Sequence, residues 1–212
     1  MTHRFTAAFA ILPTLAIATV LSTARAAEET GPAFDCGRAF GKVEELICDD
    51  AALAALDRRI TKRFAAAVKG LRAGADGKEA VAALRSEQRG WISGRNECWK
   101  AGDMRSCTES AYLMREGVLV ATYMLDAPTA TQRYQCNGNP ADEFVVSFYA
   151  TELPSVRVER GDTVDAGSQV PSGSGARYAL SFGKALWIKG DEAELVWPEG
   201  QDNACAVAPG GG

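Results

Sequence analysis

Residues 170–197, which read VPSGSGARYALSFGKALWIKGDEAELVW, decide the fold of the second half of this chain. Three short runs rich in apolar residues, 176–182, 185–189 and 193–197, are separated by segments of turn-forming residues. The first of these segments is 171–175 and contains Ser-Gly-Ser-Gly, and a later one is Gly190-Asp191. Short runs bounded by such residues predict β-strands that are joined by tight connections.

The same pattern extends in both directions from this stretch. Phe144, Val146 and Phe148 occupy alternate positions, as in a strand with one buried face. Further short runs occur at 156–159, 163–165 and 204–207, with Gly, Pro, Asn or Asp between most of them. About eight short strands with regularly spaced turn signals predict an antiparallel barrel or sandwich over 132–207. Residues 208–212 are predicted to be a flexible tail.

The first half has the periodicity of α-helices instead. One apolar stripe with spacings of three and four consists of Leu53, Leu56, Ile60, Phe64, Val68 and Leu71. Asp49 or Asp50 can cap the start of this helix, and residues 74–77 can end it. Two more helices are predicted at about 78–98 and 106–125, and a short turn makes the first two an antiparallel hairpin. We predict a helical domain over 27–125 and a linker at 126–131.

Residues 1–26 have the organisation of a secretory signal peptide. A short basic start precedes an apolar run of ~15 residues, which is shorter than the ~20 residues of a membrane-spanning helix. Small residues at 24 and 26 predict cleavage after Ala26. No cysteine follows the cut directly, so no lipid-attachment site is predicted. We expect a periplasmic or secreted protein with no membrane span after cleavage.

Six cysteines in an exported chain favour three disulfides over reactive thiols. Cys136 and Cys205 bracket the second half, so a bond between them would join its first strand to its last. The other four allow three pairings. We favour local pairs among these four, which are Cys36 with Cys48 and Cys98 with Cys107.

Composition excludes several classes of function. His3 is the only histidine and is lost with the signal peptide, which removes Ser-His-Asp and Cys-His catalysis and His-ligated zinc. We predict no metal and no cofactor. The charge of −4 makes nucleic acid a poor partner. Residues 127–212 carry 11 acidic and 6 basic residues, net −5, whereas 27–126 carry 16 and 15. This charge favours a basic partner.

The second half resembles the MliC/PliC family of inhibitors of c-type lysozyme. The resemblance rests on SGSGARY at 172–178, LWIKGDEA at 186–193 and the Tyr-x-Cys start at 134–136. It covers about 75 residues, and it implies an eight-stranded antiparallel β-barrel. The first half resembles the LprI-type domain of exported bacterial proteins, through Phe34-Asp35-Cys36, EELIC at 44–48 and RSEQRGW at 85–91. The resemblances imply an α+β protein in two domains.

The resemblance to MliC/PliC also implies a mechanism and a set of site residues. Such inhibitors insert a loop serine and a lysine into the lysozyme cleft, and by motif position these are Ser174 and Lys189. The partner would be c-type lysozyme, and the chain would not be an enzyme. The residues implied to bind the partner, or to support the loops that do, are Ser174, Lys189, Gly175, Arg177, Tyr178 and Asp191.

Two alternatives stay open from the residues alone. A glycosidase would need two carboxylates facing one sugar, and neighbouring strand residues such as Asp191 and Glu192 point to opposite faces. A small barrel could instead be a non-catalytic module of the cell envelope that binds a glycan or a small apolar ligand. A large apolar cavity would favour the binding module. A filled barrel with Ser174 and Lys189 on one rim would favour the inhibitor.

Overall fold

The structure is a computed structural model that describes Met1, residues 31–197 and residues 203–209. Except for Met1, the predicted signal peptide lies outside the described residues, as do residues 210–212 of the predicted tail. The helices are α1 (Lys42–Asp49), α2 (Ala51–Arg72), α3 (Gly77–Asn96) and α4 (Met104–Tyr123), with short 3-10 turns at Cys36–Arg38, Glu97–Lys100 and Ser181–Gly183. None of the described helices combines the length and hydropathy needed to cross a membrane.

The helical unit, residues 36–123, contains the three predicted helices and one that the sequence did not predict. Helix α1 has eight residues, about two turns, which is too short for a repeating apolar stripe. Asp50 separates α1 from α2, and its side chain accepts hydrogen bonds from the backbone amides of Ala52 (2.9 Å) and Leu53 (3.1 Å). These bonds lower the pKa of Asp50. The core between the helices includes the fully buried side chains of Ile47, Leu53, Leu84, Tyr112 and Leu119.

Three disulfides connect the cysteines in the pairs favoured from the sequence. Cys36–Cys48 fastens the segment before α1 to the end of that helix. Cys98–Cys107 joins the turn after α3 to the start of α4. Cys136–Cys205 joins the first and last barrel strands, which are also hydrogen-bonded neighbours.

The second half is a closed antiparallel barrel in which each strand pairs with the next and the last with the first. Its strands are β1 (Ala130–Cys136), β2 (Asn139–Tyr149), β3 (Ser155–Arg160), β4 (Thr163–Val170), β5 (Ala176–Ala179), β6 (Ala185–Lys189), β7 (Glu192–Val196) and β8 (Asn203–Val207). The predicted eight-stranded barrel is therefore confirmed.

Several predicted boundaries differ from the structure, most clearly at β4, which runs to Val170 where a strand over 163–165 was predicted. The chain enters β1 at Ala130, so the last two residues of the predicted linker belong to the barrel. The strand predicted over 176–182 ends at Ala179, because Phe182 adopts a left-handed backbone conformation (φ 52°) that breaks the pleat. Phe182 is consequently almost fully exposed instead of packed on a sheet face.

Side chains fill the interior of the barrel. Tyr134 and Phe144 stack with ring centroids 5.1 Å apart. Around them lie further residues of one buried cluster, which include Val146, Val156, Val158, Tyr178, Leu186, Leu195 and Trp197. This packing leaves the outer wall and the strand connections as the surfaces that can meet a partner.

Helix α4 packs directly on the outer face of β3 and β4 and joins the two halves. A Cβ atom on Gly117 would lie 2.3 Å from Ser168 Oγ and 2.9 Å from Ser155 Cβ, so the helix backbone reaches the sheet because this residue is glycine. Arg157 donates to the carbonyl of Thr122 at 2.9 Å. The helical unit is thereby fixed against the wall of the barrel.

Candidate partner-binding rim

Two connections meet at one end of the barrel and form a surface that we call the rim, residues 171–175 and 189–192. Strand β5 pairs with β6 so that Ala176 lies opposite Ile188. The loop before β5 is therefore beside the turn after β6. This register brings Ser174 and Lys189, which are separate in sequence, to the same end of the barrel.

Side-chain donors hold the backbone of the Ser174 loop. Ser172 Oγ donates to the carbonyl oxygens of Ser174 (3.2 Å) and Gly175 (2.9 Å). Trp187 Nε1 donates to the same Ser174 carbonyl at 2.7 Å. The Ser174 side chain itself is exposed. The loop thus fixes its carbonyls against the barrel and leaves the Ser174 hydroxyl on the solvent side.

Gly175 supports the rim through its small size and its backbone conformation. Its φ of +65° lies in the left-handed region, and a Cβ atom there would be 2.2 Å from the Ile188 carbonyl oxygen. The same atom would be 2.9 Å from Lys189 Cγ. A glycine is therefore required for the loop to approach β6 this closely.

Lys189 is exposed and lies against the outer wall. Because side chains two apart on a strand share a face, Lys189 and Trp187 are neighbours on that wall. The Lys189 ammonium is 3.4 Å from the centre of the Trp187 ring, a cation–π contact. In this conformation the ammonium rests on the protein's own indole.

The other residues predicted to bind the partner or to support the loops take different positions. Tyr178 is 6% exposed and packs edge-on against Phe148 inside the barrel, where burial raises its pKa. It can support the rim from within but lies away from the surface. Arg177 is exposed on the outer face and pairs with Trp187 across the strands. Asp191 is exposed, and its carbonyl accepts a hydrogen bond from the Val207 amide at 2.9 Å.

Acidic side chains lie within the rim and beside it on the outer wall. Asp191, Glu192 and Glu194 take part in no ion pair within the described portion of the chain. By contrast, Asp142 on another strand pairs with Arg160 at 2.8 Å. Glu192 lies opposite Lys189 across the strands, but the three carboxylates outnumber this lysine and give the wall a negative field that favours a cationic partner.

Two contributors to the rim were not predicted from the sequence, Trp187 and Ser172. The tryptophan lies two residues before the lysine, so an aromatic–x–lysine pattern on a strand was an available signal. The Trp187 hydrogen bond to the Ser174 loop depends on pairing between β5 and β6, which spacing alone does not fix, whereas the Ser172 hydrogen bonds are local to the loop.

The helical unit contains a buried polar cluster that links its helices to one another. Arg95, 4% exposed, donates to Tyr112 Oη at 2.7 Å and lies 3.6 Å from Glu44. Tyr112 donates to Asp57 at 2.8 Å. Burial, more than any neighbouring charge, raises the pKa of Tyr112. These bonds connect all four helices, and buried networks of this kind fix a fold because each member is satisfied.

The fold and the rim together define a class of proteins. Its members join a disulfide-linked helical unit to a small filled barrel that carries an exposed serine loop and a lysine. Residues 134–204 match the family described as membrane-bound lysozyme-inhibitor of c-type lysozyme, MliC. Residues 36–124 match the family described as lysozyme inhibitor LprI. Both resemblances inferred from the sequence are confirmed.

Relatives that match most of the chain identify its family. Lipoprotein LprI of Mycobacterium bovis and of Mycobacterium tuberculosis are each 32% identical to the chain over 170 residues. The matches cover 78% of this chain and 79% of each relative. The chain belongs to the LprI family.

Proposed function

We propose that this protein is a non-catalytic inhibitor of c-type lysozyme that acts through the rim. The observation behind the proposal is the β5–β6 register: Ala176 is opposite Ile188, so the loop with Ser174 and the turn after Lys189 lie at the same end of a filled barrel. The matches of both halves to families of lysozyme inhibitors support it.

The chemistry of the target explains why these two residue types suit inhibition. A retaining lysozyme needs one protonated carboxyl group and one carboxylate on either side of the sugar linkage. The ammonium of Lys189 between these groups would stabilise the ionised form of both. Neither group could then act as the general acid. The Ser174 hydroxyl would hydrogen-bond to the acidic residue, and the loop would occupy the glycan subsite.

Lys189 must leave the Trp187 ring to reach such a cleft. A cation–π contact at an exposed site is worth about 0.5–1 kcal/mol. The cleft of a lysozyme instead presents two carboxyl groups to the ammonium. Because the contact with the ring is weak, we expect these groups to draw Lys189 away from it.

Electrostatics supports a cationic partner. Residues 127–212 have a net charge of −5 (6 basic, 11 acidic), and three of the carboxylates lie next to the rim. Such a field increases association rates with a basic protein and weakens as salt is added.

We infer that the protein acts in the periplasm or outside the cell. The three disulfides suit an oxidising compartment. The predicted signal peptide with cleavage after Ala26 agrees with this, although those residues lie outside the part that the structure describes.

A cell-envelope module that binds a glycan or small apolar ligand is the second candidate. An apolar ligand would need room inside the barrel, and the described interior residues pack against one another there. A glycan could still lie along the outer wall near Trp187. The filled interior therefore favours the inhibitor over an apolar-ligand carrier.

Turbidimetric clearing of bacterial cell walls by a c-type lysozyme tests the proposal. The mature chain 27–212 should inhibit clearing, and Ser174→Ala and Lys189→Ala should each raise the inhibition constant at least tenfold. Ser110→Ala and Lys62→Ala, at exposed positions on the helical unit, are the matched controls. Failure of the unaltered chain to inhibit at micromolar concentration would remove c-type lysozyme as the target.

A further inference from the structure

We propose that Trp187 is a positioning residue of the rim, which fixes the Ser174 loop through its indole N–H and sets the resting place of the Lys189 ammonium through its ring. The inference rests on the proposed function, because it explains how the two contact residues are held before a partner arrives. It assigns to Trp187 a role beyond that of a strand residue.

The first contact is directional. Trp187 lies near the middle of β6, opposite Arg177 on one neighbouring strand and Glu194 on the other. From there its Nε1 reaches the carbonyl of Ser174 at 2.7 Å. Ser172 also donates to this carbonyl, but it belongs to the same loop, whereas the indole is the side chain that ties the carbonyl to β6. Loss of the indole donor should therefore release the 174–175 peptide.

The second contact restrains the lysine. The Lys189 ammonium lies 3.4 Å from the centre of the Trp187 ring. The helical unit offers a looser pair for comparison, in which the Lys100 ammonium is 5.3 Å from the ring of exposed Trp99. Trp187, next to the rim on β6, thus contacts both the serine loop and the lysine.

The position of Trp187 argues against a purely packing role. It is on the outer wall, whereas Trp197 is 7% exposed and belongs to the buried cluster of the barrel. The core beneath Trp187 is supplied by Leu186, which is fully buried on the opposite face of the same strand. A change at Trp187 should therefore alter the rim without opening the barrel.

Two substitutions separate the functions of the indole. Trp187→Phe keeps an aromatic ring under the lysine and removes the donor to Ser174. Trp187→Leu removes both. Trp99→Leu is the matched control, because Trp99 is an exposed tryptophan that also carries a lysine.

In the free full-length chain, NMR reports on both contacts without any partner. We expect lower backbone order parameters from 15N relaxation at 172–175 in Trp187→Phe and Trp187→Leu, with the rest of the barrel unchanged. The Lys189 Hε protons should show an upfield ring-current shift in the unaltered chain and in Trp187→Phe, and lose it in Trp187→Leu. Added lysozyme should also abolish the shift as the ammonium leaves the ring.

Inhibition assays complete the test. Because one hydrogen bond that orders the loop is lost, Trp187→Phe should raise the inhibition constant about threefold to tenfold. Trp99→Leu should leave it within twofold. A Trp187→Phe variant that inhibits as well as the unaltered chain, unchanged order parameters at 172–175, or unshifted Lys189 Hε protons would overturn the inference.

The assays also distinguish the two proposals. If the unaltered chain does not inhibit lysozyme, the proposed function fails, while the NMR measurements on the free chain still decide whether Trp187 orders the rim. If the chain inhibits and Lys189→Ala does not, but Trp187→Phe is normal, the positioning role alone is wrong.

Discussion

Replacement of Gly175 by alanine tests the close approach between the Ser174 loop and β6. At φ +65° the alanine would adopt a left-handed conformation that costs about 1–2 kcal/mol. Its Cβ would also lie 2.2 Å from the Ile188 carbonyl oxygen, a backbone atom that cannot rotate away. Relief of such overpacking costs about 1–3 kcal/mol. The free energy of unfolding should therefore fall by about 2–5 kcal/mol, and inhibition of lysozyme should weaken as the loop moves off Lys189.

Gly138→Ala is the control for the backbone term. Gly138 has nearly the same φ, +67°, but nothing lies within 4 Å of an added Cβ. Urea unfolding followed by circular dichroism should show a loss of only about 1–2 kcal/mol for this variant. Its inhibition of lysozyme should be unchanged, because the turn is outside the rim. Equal losses of stability in the two variants would refute the argument that contact with Ile188 matters.

Three further predictions concern the fold. Gly117→Val should push α4 off β3 and β4. Calorimetry should then show two separate unfolding transitions instead of one. A single transition with an unchanged midpoint would contradict the close packing. In the chain-entropy account, removal of a disulfide costs more when its cysteines are farther apart in sequence. Removal of Cys136–Cys205, with a separation of 69 residues, should lower the free energy of unfolding by about 4 kcal/mol. Removal of Cys98–Cys107, with a separation of 9 residues, should lower it by about 2.5 kcal/mol. Equal losses in urea titrations would count against that account. Asp50→Ala should cost about 1 kcal/mol near neutral pH through the lost helix cap. Since the pKa of Asp50 is lowered on folding, this cost should shrink as the pH falls below the ordinary value of 3.8, and a cost independent of pH would be the contrary result.

The helices and the barrel differ in how closely sequence periodicity predicted them. Long amphipathic stripes predicted α2, α3 and α4 to within a few residues, because packing on one face requires apolar residues at that spacing. Helix α1 was missed, since eight residues held by a disulfide need no stripe. The strand end at Ala179 was also missed, because apolar Leu180 and Phe182 continue the pattern where the backbone turns away.

Ser174 and Lys189 became candidates only through the resemblance to a family. The pattern of residues around them, taken alone, indicates two ordinary turns. It could not reveal that Tyr178 points into the barrel while Arg177 beside it is exposed. Strand alternation predicts opposite faces for these two residues but not which face is inside, since that depends on closure of the whole sheet.

The sequence by itself determined that the chain has a helical half and a strand half, and that six cysteines are available for disulfides. It could do so because periodicity depends on residues close in sequence and composition on no contact at all. Tertiary structure decided which side chains meet. Pairing of β5 with β6 places the Trp187 indole under Lys189 and against the Ser174 carbonyl. Contact of Gly117 with β3 and β4 fixes the helical unit on the barrel. These contacts arise from register and close approach between distant segments, which no local pattern specifies.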